Sequence, residues 1–555
     1  MESATAVPAG VTRPAPPPVG AFHYRRYAAT LPTLDVRGRE TTVHPVVIAG
    51  GGPVGMALAL GLALQGVRSM VLEADDTVCV GSRAICVSRR SLEIVETLGA
   101  LPAFLAKGLP WTRGRSYYRD REVFRFDMPT DPRDKLPAMV NLEQYYIEQY
   151  LFEAIERVNA RAPGRIDFRW GTELAALAHD AGGVELRARS AHGEYGLRAQ
   201  WLVACDGGQS FVRGSLGLEL HGAAYEGRYV IVDIELASDF PTERRAWFDP
   251  PWYPGSTILM HKQPDDIWRI DWQLRPGQSS DDALRPEAVQ AFVTRHLAAI
   301  GEGGKPWRPV WSSVYRAGAM TLDRYRHGRI LFAGNAAHAM PIFGVRGLNS
   351  GFDDSHNLAW KLAAVVQGHG GERLLDSYSV ERIEAFHCNA ENAMRSTEFM
   401  SPPSRGFELL REAALSLAAA ERDIAKLVNP RQTQAVGYSG SPLSFAGSDD
   451  DMTGPQPGAL MPDLPLREGH LSDLLQPGFT LLHLGPNDRD VVALPKIAGL
   501  HYLHRTDVGA PFVAGGSAFY LLRPDRHVAA RWRTITAKAV EAALAAALCR
   551  EEETA

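Results

Sequence analysis

Cysteine is scarce in this 555-residue chain: five residues, scattered at Cys79, Cys86, Cys205, Cys388 and Cys549, odd in number and never spaced C-x-x-C. The pattern excludes a disulfide framework and a zinc knuckle, and it favours reduced, mostly buried thiols in a cytoplasmic protein. Long apolar runs are missing too; no window approaches the ~18 uninterrupted apolar residues of a membrane-crossing helix. The first 43 residues carry Pro14-Ala15-Pro16-Pro17-Pro18 and scattered arginines without an apolar segment, so they read as a flexible extension, 1–43, and not as a secretory signal. An excess of one charge sign is also lacking. With 59 basic and 64 acidic residues, formally -5, the chain has no basic face for nucleic acid and no polybasic arm for a membrane. There is no H-E-x-x-H, no cluster of metal ligands and no G-x-S-x-G elbow, so no metal site is expected.

What is present is an ordinary globular composition, 45% apolar and 22% charged, in a length that suits roughly three domains. Val46-Val47-Ile48-Ala49 is a buried strand that empties into Gly50-Gly51-Gly52-Pro53-Val54-Gly55 and then an Ala/Leu-rich helix. In this G-x-G-x-x-G spacing Gly50 permits the turn, Gly52 admits a pyrophosphate and Gly55 lets helix and strand pack. A phosphate there would meet helix N–H groups at the positive end of the dipole. A second buried strand, Ser69-Met70-Val71-Leu72, ends in Glu73, placed to accept both hydroxyls of an adenosine ribose; an acid there argues for NAD or FAD.

Further on, Arg83, Arg89 and Arg90 either meet a pyrophosphate or line a solvated face, and spacing alone favours the second. Asn141 to Leu151 is an amphipathic helix. Trp201-Leu202-Val203-Ala204 is an apolar strand running into Cys205-Asp206-Gly207, with Ser210 and Arg213 at the start of a helix. Ile267 to Leu274 alternates with period two: Trp268, Ile270, Trp272 and Leu274 share a core face, and Arg269, Asp271 and Gln273 face water or a polar cavity. Gly328 to Asp354 is a strand, a polar turn and a charge-poor glycine loop of the kind that contacts a cofactor, leading into a helix from about Ser350. Helical segments fill about 376–427, a Pro/Gly/Ser linker follows at 429–458, and a small α/β domain closes the chain at 459–549.

These motifs together resemble the FAD-dependent aromatic hydroxylases, the class A flavin monooxygenases typified by para-hydroxybenzoate hydroxylase, over roughly residues 44–400. The resemblance implies an α/β fold: a Rossmann-like FAD-binding domain (about 44–110, 141–220 and 320–400) interleaved with a β-sheet substrate domain (about 111–140 and 221–319). A helical segment and linker, 401–458, would join these to a thioredoxin-like C-terminal domain, 459–549, similar to that of the phenol and 3-hydroxyphenylpropionate hydroxylase branch but lacking C-x-x-C. It implies FAD held by Gly50, Gly52, Gly55, Glu73, Arg83, Gln144, Asp206, Gly207, Gly334, Asn335, Gly347, Leu348 and Asn349. Asn335 departs from the family, which usually has an aspartate on the FAD ribityl chain; an amide oxygen still accepts at similar reach. His338 would hold its turn. The implied chemistry has NADH or NADPH reduce FAD and a flavin C4a-hydroperoxide pass oxygen to a phenolic ring, with Pro341 beside the reacting oxygen. Arg269 is a candidate substrate anchor, and Tyr253 and His261, with Tyr315, are candidate groups for ionising the phenol. Partners are then a small aromatic substrate, NAD(P)H and O2, no nucleic acid and no membrane, with a homodimer by family habit. Rival readings are a halogenase, epoxidase or reductase on the same scaffold, or a non-catalytic FAD-binding interaction protein. Trp268 and Trp272 lack the W-x-W-x-I-P spacing expected of a halogenase.

Overall fold

The computed structural model describes residues 14–550 apart from 276, 342, 419, 427–434, 446–451, 486–496, 498, 510 and 514–515. An eight-stranded sheet forms the nucleotide-binding half. Its path runs Arg326–His327, Ile330–Phe332, Gly193–Ala204, Arg39–Ala49, Ser69–Leu72, Ile166–Arg169, with Gly183–Ser190 and Thr172–Asp180 joined to it antiparallel. From Ile330–Phe332 to Ile166–Arg169 neighbouring strands are parallel. Strands buried on both faces read as continuous apolar runs, which is why Val46 to Ile48 and Leu202 to Ala204 are fully enclosed. The helix Pro53–Leu64 covers them and is itself buried along most of its length; at Gly61 an added Cβ would come within 2.7 Å of Ala359 Cβ on the helix Arg346–Val366.

A second eight-stranded sheet runs His338–Ala339, Trp307–Thr321, His221–Leu236, Ile267–Gln273, Thr257–Lys262, Arg244–Phe248, Arg113–Tyr118, Arg121–Asp127. Trp268, Ile270, Trp272 and Leu274 pack with Phe292, Val293 and Leu297 of the helix Pro286–Ala299. The opposite face turns inward to the nucleotide-binding half, so Arg269 and Asp271, which alternation placed toward water or a cavity, are 2% and 6% exposed. A three-stranded sheet, Cys86–Ser88, Met139–Asn141 and Leu109–Trp111, lies between the two halves. At the C-terminal end Leu500–Arg505, Phe479–Leu484, Ala518–Leu522 and Val528–Trp532 form a sheet in which the first pair is parallel and the others antiparallel, covered by Ala537–Ala547. Among the described residues no helix is long and apolar enough to cross a membrane.

Several sequence expectations are corrected. The extension 1–43 is not loose where it is described: Val19, Phe22 and Tyr24 are buried, Tyr27 stacks on Trp170 with ring centroids 4.6 Å apart, and the strand Arg39–Ala49 begins inside it. Aromatic burial outweighs the prolines there; residues 1–13 lie outside the described residues. The stretch 429–458 is likewise no simple linker. Its described parts bury Tyr438, Ser441 and Leu443 against the rest of the chain, while 429–434 and 446–451 lie outside the described residues. The helix expected from Ser350 starts at Arg346, and the one expected from Asn141 starts at Gln144, because Asn141 is paired in a strand.

Candidate FAD and substrate site

Three segments far apart in sequence meet at the carboxyl ends of adjacent parallel strands. Ala49 pairs with Ala204 and Ala204 with Phe332, so the turns that follow them, at Gly50, Cys205 and Ala333, lie side by side. This is the edge at which open α/β sheets take their ligands. The glycines divide the work. Gly50 has φ +99, and a Cβ there would lie 2.4 Å from the Cys205 carbonyl oxygen; a Cβ on Gly55 would lie 2.0 Å from the Gly50 oxygen. At Gly52 an added Cβ would meet nothing within 4 Å. Packing therefore explains Gly50 and Gly55, and Gly52 leaves an open cradle beside a helix whose N-terminus has no side-chain cap. Glu73 accepts from the Gly51 N–H at 2.6 Å and from Asp75 N–H at 2.9 Å, and burial raises its carboxyl above the usual value.

On the second turn Asp206 accepts from Val212 N–H through Oδ2 at 3.0 Å, while its buried Oδ1 has no partner. Ser210 caps the short helix Phe211–Ser215, and Arg213 donates to the Ala336 carbonyl, tying the second turn to the third. The third turn is built around a residue the sequence reading passed over. Asp354 accepts from Gly334 N–H at 2.9 Å, from His338 Nε2 at 2.7 Å and from Arg382 Nε at 2.6 Å. Burial opposes its ionisation, but His338 and Arg382 outweigh that and hold the carboxyl well below the usual range. Asn335 is exposed on this turn. The loop then reaches Val345, in the left-handed region at φ 55, and the helix Arg346–Val366 begins with no side-chain cap, so its first N–H groups are available to a ligand.

These features fit FAD: an open glycine cradle, an orphaned carboxylate oxygen at Asp206, and an uncapped helix N-terminus where a Cβ on Gly347 would meet nothing within 4 Å. One expected side-chain ligand is corrected. The Asn349 amide is fully engaged, accepting from Ser88 N–H at 2.9 Å and Ser91 Oγ at 2.6 Å and donating to the Cys86 and Val345 carbonyls. Gln144 accepts from Ala84 N–H at 3.2 Å and donates to Glu148 at 2.9 Å. Asn349 thus has no side-chain amide left for a cofactor, whereas Gln144 keeps one N–H and one lone pair. Arg83 is exposed, whereas Arg90 is no solvated residue: it is buried and pairs with Asp353 at 3.2 Å and Glu93 at 3.4 Å.

The inward face of the second sheet carries a polar row set by strand register. His261 stands opposite Arg269, Arg269 opposite Asp233 and Asp233 opposite Trp311; Arg244, one residue on from the Arg245 and Met260 pair, extends the row beyond His261. Asp271 lies diagonal to His261, between Leu259 and Ile231. The wall facing this row includes Ile85, Cys86, Trp111 and Met139, with Val345 of the loop before the helix Arg346–Val366 packed on them. The Trp111 and His261 rings meet edge to face at 6.1 Å.

Arg269, expected as a substrate anchor, is committed elsewhere. It is bidentate to Asp233, 2.8 Å to each oxygen, and donates to the Ser82 and Arg83 carbonyls, so it clasps the loop that carries Arg83. Tyr253 lies on the wrong face, its ring edge-on to Phe292 at 4.9 Å and its hydroxyl donating to Gln278 at 3.2 Å. His261 is in the row, but burial, with the charges of Arg244 and Arg269, pushes its imidazole down to about 3, so it is a neutral hydrogen-bonding group and a poor base. Its Nδ1 has no partner. Tyr315 donates to the Met340 carbonyl, next to buried Pro341. Sequence reasoning passed over Asp271 and Arg244. Burial pushes the Asp271 carboxyl up to about 7 against the pull of Arg269 and Arg244, and its Oδ1 has no partner. A cleft of about 450 Å³ between Arg89, Lys135 and Arg526 is less informative. Its cations are already matched: Arg89 with Asp134, Lys135 with Glu96 and Asp473, and Arg526 with Glu93.

Fold and site define a flavoprotein of the class A monooxygenase type. The family described as FAD binding domain matches residues 43–393, and the chain belongs to it. It is 32% identical over 429 residues to a 6-methylpretetramide 4-monooxygenase of Streptomyces rimosus, covering 75% of this chain and 73% of the relative. It is 28% identical over 457 residues to a 3-(3-hydroxy-phenyl)propionate/3-hydroxycinnamic acid hydroxylase of Mycolicibacterium smegmatis, covering 80% and 78%. The flavin-dependent monooxygenase PieE, solved with FAD and substrate, shares the fold at TM-score 0.76 and 22% identity, over 92% of this chain and all (100%) of that one. The chain is thus an FAD-dependent monooxygenase of the aromatic hydroxylase group.

Proposed function

We propose that this enzyme hydroxylates a phenolic ring using NADH or NADPH and O2, in the cytoplasm. The observation that carries the reading is the adjacency of two open sites: the uncapped helix N-terminus after Val345, and the polar row with an unpartnered Asp271, joined through the wall of Ile85, Cys86 and Trp111. Gly50, Gly52 and Gly55 with Arg83 would hold the pyrophosphate of FAD, Glu73 the adenosine ribose, and Asp206 and Asn335 the chain leading to the ring. When bound, FAD supplies electron transfer and the activation of O2. The N–H groups of Gly347 and Leu348, at the positive end of a 21-residue helix, favour negative charge on the ring edge they face. Asp271 takes the proton of the substrate hydroxyl, which puts electron density on the carbon to be oxygenated. Its carboxyl, near 7, is half ionised at neutral pH and is matched to that transfer. His261 donates or accepts a hydrogen bond beside it, and the Trp111 side of the wall excludes water. Pro341 and Tyr315 hold the backbone next to the reacting edge. A homodimer belongs to the same reading, supported by exposed Phe407, Leu410 and Leu417 on the helix Arg405–Ala418.

Stopped-flow absorbance on the FAD-loaded protein tests the reading. At least one phenol of a broad panel is expected to accelerate flavin reduction by NADH or NADPH and to return one oxygen heavier in a mass spectrum. A panel that does neither overturns it.

A further inference from the structure

The connection between the strands Ser69–Leu72 and Cys86–Ser88 pairs with no sheet, so its backbone groups find their partners in side chains and backbone from elsewhere in the fold. Cys79 N–H donates to Glu148 at 2.6 Å, Ala84 N–H donates to Gln144 at 3.2 Å, and the Ser82 and Arg83 carbonyls accept from Arg269. Gly81, at φ +78, lies so close to Trp311 that a Cβ there would collide with the indole. A further hold comes from residues 19–27. The family matches from residue 43, and this segment precedes it. Gly81 N–H donates to the buried Tyr24 hydroxyl at 3.4 Å, Tyr27 N–H donates to the Asp76 carbonyl at 2.7 Å, and Arg26 pairs with the Asp76 carboxylate.

The segment has its own anchors away from this loop. The Phe22 ring meets Tyr145 at 4.6 Å and Tyr146 at 4.8 Å, and the Tyr27 hydroxyl donates to Gln149 at 3.3 Å while its ring stacks on Trp170. Aromatic burial therefore fixes it to the nucleotide-binding half. At its start, Gly20 (φ +53) passes the substrate half so closely that a Cβ would lie 2.5 Å from Asp265 Cβ, and Asp265 is itself tied to the Tyr146 hydroxyl at 2.5 Å and to Lys107. Residues 19–27 are thus a strap with anchors on both halves, and the loop is held by this strap and by Arg269 of the substrate sheet. A segment without its own ladder belongs to the least stable parts of a fold and opens when its holders let go.

We propose that residues 19–27 are a latch on the cofactor loop, with Tyr24 as a positioning residue for FAD. The Tyr24 hydroxyl fixes the Gly81 amide, two residues before exposed Arg83, and Arg26 and Tyr27 fix Asp76 at the start of the loop, close in sequence to Glu73. A loop already ordered costs FAD less to engage, so the latch governs how long the cofactor stays and takes no part in the chemistry. The inference rests on the assignment of Arg83 to the pyrophosphate made above. Coupling of this kind is reciprocal: bound FAD must hold the strap down by as much as the strap holds FAD.

Hydrogen exchange read by mass spectrometry on the full chain, with and without FAD, tests the reciprocity. FAD is expected to slow exchange in peptides covering 19–27 and 74–84 by about tenfold more than in the C-terminal strand Phe479–Leu484, which serves as the reference. Protection of 74–84 with none in 19–27 beyond that reference overturns the latch. Release of FAD on dilution, followed by the rise in flavin fluorescence, tests Tyr24. Tyr24→Phe keeps the ring and loses the hydroxyl, and release from it should be about threefold faster; adding Asp76→Asn should bring the increase to about tenfold. Wild-type release from both variants overturns the latch. So does faster release accompanied by equally faster exchange in Phe479–Leu484, because that marks a general loss of stability. Arg83→Ala separates the latch from the assignment it rests on. Release as slow as wild type there removes Arg83 from the pyrophosphate and with it the route from the latch to FAD; fast release there beside wild-type release from Tyr24→Phe and from its double variant removes the latch alone.

Discussion

Two buried clusters of charge in this molecule are finished differently. Where the C-terminal sheet meets the nucleotide-binding half, Arg523 donates to both oxygens of Glu381 at 2.6 and 3.0 Å and to Asp525; Lys361 donates to Glu381 at 2.6 Å, and Asn357 and Trp360 to Asp525. Two cations face two carboxylates with essentially no solvent, and each carboxylate is surrounded by donors. In the substrate half, Arg269 and Asp233 close on each other, and next to them Arg244, Asp271 and His261 stay open. Both clusters cost desolvation. The first recovers it from its own residues and so serves architecture. The second recovers it only when something else enters, and that difference separates a joint from a binding site.

The comparison can be broken or sharpened. The largest effect is expected at Asp271→Asn, which removes the base while keeping shape: the rate of substrate hydroxylation should fall about 10²- to 10⁴-fold. The ionised carboxyl is the competent form and lies near 7, so the wild-type rate should rise as pH increases through about 7 and the variant profile should be flat there. A pH series of single-turnover rates reads both; an unchanged slope would remove Asp271 from the chemistry. Next comes Glu381→Ala in the closed cluster, which leaves Arg523 and Lys361 facing one carboxylate. It should cost about 3–5 kcal/mol of stability, measured by denaturant unfolding, with substrate preference unchanged in the protein that remains folded. Loss of preference without loss of stability would reverse the two assignments.

Glu73→Ala should weaken FAD binding about ten- to hundredfold, the worth of charge-assisted hydrogen bonds. The A450/A280 ratio of the purified protein checks it, and full flavin content would remove the ribose role. The smallest effect is expected from Asn335→Asp. An acceptor of the same reach is exchanged for a charged one at an exposed position, and FAD affinity by titration should stay within about threefold.

Legibility in the sequence followed the range of the interactions. Gly50, Gly52 and Gly55 and the apolar strands around them were readable because a turn, a close approach and a buried parallel strand each demand a residue type within a few positions. Period-two alternation correctly placed Trp268 to Leu274 on the core. It could not say whether Arg269 and Asp271 met water or protein, because the covering wall comes from residues 85–139. Asn349 was expected to bind the cofactor, yet its amide is consumed by Ser88, Ser91 and the Cys86 and Val345 carbonyls, partners that local pattern does not reveal. The same holds for the prolines near the N-terminus, whose neighbours Phe22 and Tyr24 find an aromatic bed on Tyr145.

By itself the sequence determined that the Gly50 to Gly55 turn suits a dinucleotide, NAD or FAD, since that depends on backbone freedom and short-range spacing; FAD in particular followed from the resemblance to a family. Only the tertiary structure decided which polar groups are satisfied and which are not. Hydrogen-bond capacity is used up by whatever the fold brings near. Arg269 and Arg244 have the same side chain on strands that flank the one carrying His261, and the presence of Asp233 beside the first makes it a clasp, whereas the second meets only neutral His261 across the register.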